Sequence, residues 1–219
     1  VSDAGGNGNI TWSGQLSASL NQGGAGGIDS GSKQASKWYS VFAIGDSTGV
    51  KPPAALLSLS LDAPVLPAGY NQKRRLWFVK SDAAIEIIKF YQTGKGETRR
   101  CWYDYGTQNL RVVDAGTQSI WTPVNCQAYV PPTVEVIHLQ VKFMTGTQGT
   151  AADDVRVRRK GANDSQTSPA VGVKSGNSLA FQETVPCDDD QMLEYKVDQS
   201  GTGKNVTTIV VRGWDLDLS

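Results

Sequence analysis

The sequence predicts an all-β chain, an antiparallel β-sandwich, on three observations. Apolar and polar residues alternate with period two in most structured stretches, as half-buried antiparallel strands require. Turn-forming clusters recur every ~8–15 residues. Glycine and proline are plentiful, 24 and 9 of 219 residues, which suits a turn-rich chain better than a helical one.

In chain order, residues 1–27 are rich in Gly, Asn and Ser, with one strand-like piece at Ile10–Leu20. This part cannot form a core alone and reads as an edge strand or a subunit-swapped connector, with Gly23–Gly27 as a flexible joint. Trp38–Ile44 is apolar on both faces, as a central strand should be, and Ala54–Leu61 is a second strand-like run. Ser81–Tyr91 carries a possible helix N-cap, yet its β-branched content favours a strand. In Thr133–Met144, Ile137, Leu139, Val141 and Phe143 share one face and His138, Gln140 and Lys142 the other. Val155 and Val157 alternate with Arg156 and Arg158, and Leu193, Tyr195 and Val197 with Met192, Glu194 and Lys196. Thr207–Val211 is a further strand, with Gly213 marking a bulge. Turns are expected at Gly45–Gly49, Gly94–Gly96, Asp114–Gly116, Gly161–Asp164, Lys174–Asn177 and Ser200–Gly203. The domain reading is a connector at 1–27, a first β-rich half at 28–96 and a sandwich half at 97–219; the two halves could form one domain.

Lys plus Arg, 21, balance Asp plus Glu, 21. A duplex-DNA binder normally carries a basic excess, so nucleic acid is not expected as a partner. No apolar run reaches the ~18 residues of a bilayer span, so membrane insertion is not expected either. The chain begins at Val1 rather than Met, which suggests processing or excision from something longer. Cys101, Cys126 and Cys187 are few, odd in number and widely spaced, so buried reduced thiols are expected, with a Cys101–Cys126 bridge as the alternative.

One stretch is more distinctive than the rest. Gly27-Ile28-Asp29-x-Gly31, Trp38-Tyr39-x-Val41, Ser58-x-Ser60 and Pro64-x-Leu66-Pro67-x-Gly69-Tyr70-x-x-Lys73-Arg74-Arg75 together resemble a β-domain of tail-fibre and other exposed virion proteins of tailed bacteriophages. Looser matches continue through Trp102-Tyr103-Asp104, Val130-Pro131-Pro132, Arg158–Gly161, Val185-Pro186-x-Asp188, Glu194-Tyr195 and Ile209–Trp214. The resemblance covers roughly residues 27–219. It implies a jelly-roll-like sandwich in a homotrimer, assembled in the host cytoplasm and exposed on the virion. It also implies host-surface attachment or particle decoration, with other virion proteins and a bacterial surface glycan or protein as partners. A carbohydrate-binding module or lectin is the alternative reading.

Motifs that suggest chemistry are outweighed by plainer readings. Gly45-Asp46-Ser47-Thr48-Gly49 matches the nucleophile elbow G-x-S-x-G, but Pro52 and Pro53 follow where the elbow needs a helix. The base would have to be His138, the chain's single histidine, expected to face solvent or a subunit contact. Asp153-Asp154 and Asp188-Asp189-Asp190 lack a calcium-loop pattern and read as charged turn tips. Gly201-Thr202-Gly203-Lys204 lacks P-loop spacing. No catalytic residue, metal ligand or cofactor is therefore expected. Asn9, Asn163 and Asn205 head glycosylation sequons, which carry no meaning in a protein made in bacteria. Trp102, Tyr103, Asp104 and Tyr105 are the candidate ligand residues: aromatic planes with polar flanks suit sugar rings, although core or interface packing is the favoured reading of the cluster. Trp38, Tyr39, Trp77 and Phe78 are expected in the core, and Lys73–Arg75 in inter-strand or inter-subunit pairing.

Overall fold

The computed structural model describes residues 9–94, 98–104, 110–145, 153–163, 171–173, 178–198 and 205–217. Strands and turns account for the architecture; no helix occurs among these residues, and none is therefore long and apolar enough to cross a membrane. The chain divides into two compact units, Val1–Ile88 and Lys89–Ser219.

The first unit is a three-stranded antiparallel sheet in the order β2-β1-β3. β1 (Trp38–Gly45) lies between β2 (Ala54–Ser58) and β3 (Gln72–Lys80). Its two-sided apolar sequence fits that central place. Tyr39 joins Leu20, Ile28 and Leu57 in one buried cluster, while Phe42, Ile44 and Leu56 form another. The expected strand at Ile10–Leu20 does not form; Ile10 and Leu20 are instead single buried anchors in an irregular segment. The edge of β2 is closed by residues 26–29. Gly26 N donates to Ala55 O and Asp29 N to Leu57 O, and Leu57 N donates to Gly27 O, all at 2.8 Å. Gly23–Gly27 is a hydrogen-bonded turn rather than a loose joint: Gly27 N donates to Gly24 O, and Ile28 N to Gln22 O.

Ser81–Tyr91 is neither helix nor one strand. Asp82 Oδ1 accepts from Ala84 N at 2.8 Å and Glu86 N at 2.9 Å. That Asx-type bonding folds residues 82–86 into a turn, and strand geometry resumes only at Phe90.

The second unit is an antiparallel β-sandwich. Its larger sheet has the order β11-β8-β13-β5-β4, with β6 also paired to β13. These strands are β4 (Phe90–Thr93), β5 (Thr98–Tyr103), β6 (Arg111–Gly116), β8 (Val136–Met144), β11 (Ser178–Pro186) and β13 (Val206–Asp217). The smaller sheet, β10-β9-β12-β7, comprises β7 (Thr122–Asn125), β9 (Asp153–Arg159), β10 (Val171–Val173) and β12 (Met192–Asp198).

Alternation decides which faces meet. Ile137, Leu139, Val141, Phe143, Ile209, Val211 and Trp214 of one sheet are buried, as are Val155, Val157, Leu193, Tyr195 and Val197 of the other. Each such side chain contributes on the order of 1.5–3 kcal/mol by leaving water. Gly213 sits at a register shift between β13 and β8, the expected bulge. Asp114–Gly116, expected as a turn, is instead the end of β6, where Ala115 takes a positive φ of 50°.

Candidate functional site

The outer face of the six-stranded sheet carries one row of residues in mutual register: Thr184, His138, Gly213, Trp102 and Tyr91. Gly213 is the gap in that row. A Cβ there would stand 2.0 Å from Cys101 O, so no side chain fits, and Trp102 lies across to His138. The two rings stack with centroids 4.8 Å apart and planes 27° from parallel.

His138 is therefore buried, its side chain 5% exposed, where the sequence reading left it facing solvent or a subunit. The placement on the polar face is as expected; the cover supplied by Trp102 is what alternation could not reveal. His138 Nε2 lies 2.8 Å from Asp215 Oδ1, and Nδ1 lies 3.1 Å from Thr184 Oγ1. A carboxylate only accepts, so Nε2 carries a proton. Arg100 completes the group with a two-point bond to Asp215, Nε to Oδ1 at 2.8 Å and Nη2 to Oδ2 at 3.1 Å. Burial alone would raise the Asp215 carboxyl, but the bonds from Arg100 and His138 outweigh it and hold the group below its ordinary value.

Of the four predicted ligand residues, the three that are described do not converge on one site. Trp102 faces outward, half-buried and fixed on His138. Tyr103, its neighbour along the strand, points inward and is buried: its hydroxyl donates to Tyr129 O and accepts from Trp214 Nε1. Asp104 is exposed beyond the end of β5, and Tyr105 lies outside the described residues. Trp102 instead lies against His138, with the Arg100 guanidinium 5.8 Å from its ring centre and the exposed Tyr91 opposite it on β4, while Thr184 and Asp215 reach it only through His138. Only strand register joins those residues, and register is not legible from separate strands.

The Gly45–Gly49 segment is the tip of the β1–β2 hairpin, and no helix follows it. Ser47 Oγ accepts from Asn71 Nδ2 at 2.7 Å. Both ring nitrogens of His138 are engaged by Thr184 and Asp215. Neither half of a serine–histidine pair is thus poised for transfer.

Lys73–Arg75 lies near the start of β3, where Lys73 and Arg75 find a partner within the unit. Lys73 Nζ donates to Asp62 O at 2.6 Å, and Arg75 Nη1 lies 2.8 Å from Asp62 Oδ1. Tyr39, Trp77 and Phe78 are buried as expected, and Trp38 is partly so. Asp154 is not at a turn tip: it lies in β9, buried, directly opposite Asp198, with Arg156 reaching both carboxylates. Asp188 does serve a turn, accepting from Met192 N at 2.6 Å.

No group of three or more potential metal ligands is present among the described residues. Gly201–Lys204 lies outside them. Cys101, Cys126 and Cys187 are free and buried. Burial pushes the Cys126 and Cys187 thiols up to about 12 and Cys101 higher still, so none is a ready nucleophile.

No protein-family model matches the chain, and no curated protein matches it. Among solved structures it is similar to a carbohydrate-binding module (CBM6cm-2) from Cellvibrio mixtus lichenase 5A in complex with cellotriose. Identity is 14%, the TM-score is 0.27, and 57% of this chain and 85% of that chain are covered. A likeness at that level is too slight to establish a common fold.

Proposed function

We propose that this chain is a non-enzymatic, exposed β-domain of a bacteriophage virion, part of a tail fibre, tailspike or head fibre. In this reading it acts in host-surface attachment or particle decoration, as a homotrimer among other virion proteins. One observation supports the reading: residues of the Gly27–Arg75 pattern bond to one another and brace the first unit. Asp29 Oδ2 accepts from Ser58 Oγ at 2.7 Å and from Val65 N at 2.9 Å, tying three blocks of the pattern together. Ser60 N donates to Ser58 Oγ at 3.0 Å, and Tyr70 N to Pro67 O at 3.1 Å. Such a frame presents surfaces. Weak contacts from each of three copies would add through high effective concentration, with no strong single site needed.

A second reading, a carbohydrate-binding domain acting alone, is favoured by the Trp102 and Tyr91 side chains beside the Arg100–Asp215 pair. An aromatic plane next to fixed donors and acceptors is the arrangement sugar rings recognise.

Gold-labelled antibody against the chain, applied to purified phage particles, tests the first reading. Label at a tail tip supports attachment, and label on the capsid supports decoration. Particles without label, and without peptides of the chain by mass spectrometry, would overturn it.

A further inference from the structure

The β1–β2 hairpin tip is held from outside itself. Ser47 N donates to Asn71 Oδ1 at 2.9 Å, Asn71 Nδ2 donates back to Ser47 Oγ, and Asn71 N donates to Gly45 O at 3.1 Å. The Tyr70 hydroxyl donates to Pro52 O at 3.1 Å. Lys51 Nζ donates to Ala68 O and lies 5.4 Å from the centre of the Tyr70 ring. Lys51 crosses directly over Gly69, whose φ is +84° and where a Cβ would stand 2.6 Å from Lys51 Cε. The turn at residues 67–71, within the Pro64–Arg75 part of the pattern, thus braces a loop that would otherwise be a free tip.

Between the tip, residues 9–11 and Gln72, the first residue of β3, lies a cavity of about 500 Å³. Small-ligand sites span roughly 300–1,000 Å³. Gln72, 9% exposed, lines it with an amide that offers two donors and an acceptor. Thr48 and Thr11 add hydroxyls, and Pro52 and Pro53 add apolar surface.

Asp46 and Lys51, the charged residues among the cavity's described lining, cancel and are already engaged. Asp46 accepts from the Thr48 hydroxyl and amide and from Lys51 N. Lys51 is held on Ala68 O. An anion would meet the Asp46 carboxylate with no spare cation. A metal ion would find one carboxylate whose oxygens are taken. A neutral molecule with hydroxyls on its rim and an apolar face matches what remains.

We propose that this cavity is a binding site for a neutral, hydroxyl-rich ligand, a single sugar residue such as the end of a glycan chain. Gln72 bonds its hydroxyls at the floor, Thr48 and Thr11 bond them at the mouth, and Pro52 meets its C–H face. The site goes beyond the virion reading and does not rest on it, and it is separate from the Trp102 face.

Saturation-transfer NMR on the intact chain tests it, with glucose, galactose, mannose and N-acetylglucosamine at millimolar concentration and sialic acid as the anionic probe. At least one neutral sugar should give signal, and sialic acid none. Gln72→Leu should weaken that signal at least roughly tenfold, the scale of losing a buried polar partner. Thr11→Trp, which fills the mouth from an exposed position, should abolish it while leaving thermal unfolding unchanged. Should Gln72→Leu fail to fold, Thr11→Trp still decides. No signal from any neutral sugar, signal undiminished by Thr11→Trp, or signal lost instead on Trp102→Ala would each overturn the proposal. None of these results bears on where the chain lies in a particle, so failure here leaves the virion reading standing.

Discussion

The Trp102 indole roofs the His138 imidazole, the two ring centres 4.8 Å apart, across a strand whose own residue at that point is Gly213. A histidine on the outward side of a sheet is in this way taken out of water and given two fixed partners. Trp102→Ala removes the roof. It should cost about 1–2 kcal/mol, a stacking term plus lost burial. Urea unfolding followed by circular dichroism reads this, and an unchanged midpoint would mean that the stack contributes nothing to stability.

Asp215 links the same network to pH. Burial opposes its ionisation, but Arg100 and His138 overcome that and leave its folded value below the ordinary 3.8. A depressed carboxyl stabilises the fold above its unfolded value, and that stability is lost as pH falls through the folded value. Asp215→Asn should therefore lower the melting temperature most at neutral pH. The difference from the parent should narrow once pH drops below about 4. Melting curves across that range check it; a gap that widens in acid would contradict the sign.

Asp154 shows the opposite sign. Burial is the chief cause that raises its carboxyl, with Asp198 adding to it against the lowering pull of Arg156. Its Oδ1 is buried without a hydrogen-bond partner among the described residues. A raised carboxyl favours folding fully only below its unfolded value, and the benefit is lost as pH climbs through the folded one. Asp154→Asn should thus raise the melting temperature at pH 7, with the gain gone below about pH 4. A variant less stable at pH 7 would show that the bond to Arg156 outweighs the cost of the charge.

Most of the fold was legible in the chain, because alternation reports burial directly. Val136–Met144, Met192–Asp198 and the bulge at Gly213 stand where the period-two pattern and the glycine put them. The misses share one cause: a period tells which side a residue faces, not what covers it. His138 is buried by a tryptophan from a strand distant in sequence, and Tyr103 and Trp102 part to opposite faces although adjacent. Ile10–Leu20 alternates enough to suggest a strand, yet backbone partners for β2 come from residues 26–29 instead. The Asp114–Gly116 turn signal was outbid by pairing with β13.

The clasp at Asp29 is the most local test of the first unit. Its Oδ2 accepts from Ser58 Oγ and Val65 N, and its Oδ1 from Ser30 N; truncation removes all three bonds. Asp29→Ala should cost about 2–3 kcal/mol, the scale for hydrogen bonds to a charged group, and Asp29→Asn distinctly less. Hydrogen exchange should show lost protection at Leu57 and its neighbours. Equal costs for the two variants would mean that charge, not bonding, holds the clasp.

The proposed attachment through many modest contacts needs several copies of the chain held together. Sedimentation equilibrium of the purified chain at micromolar concentration measures this most directly. The expected result is the homotrimer, a mass three times the 23.5 kDa of one chain. A single chain at every concentration would contradict it and remove the basis for multivalent attachment.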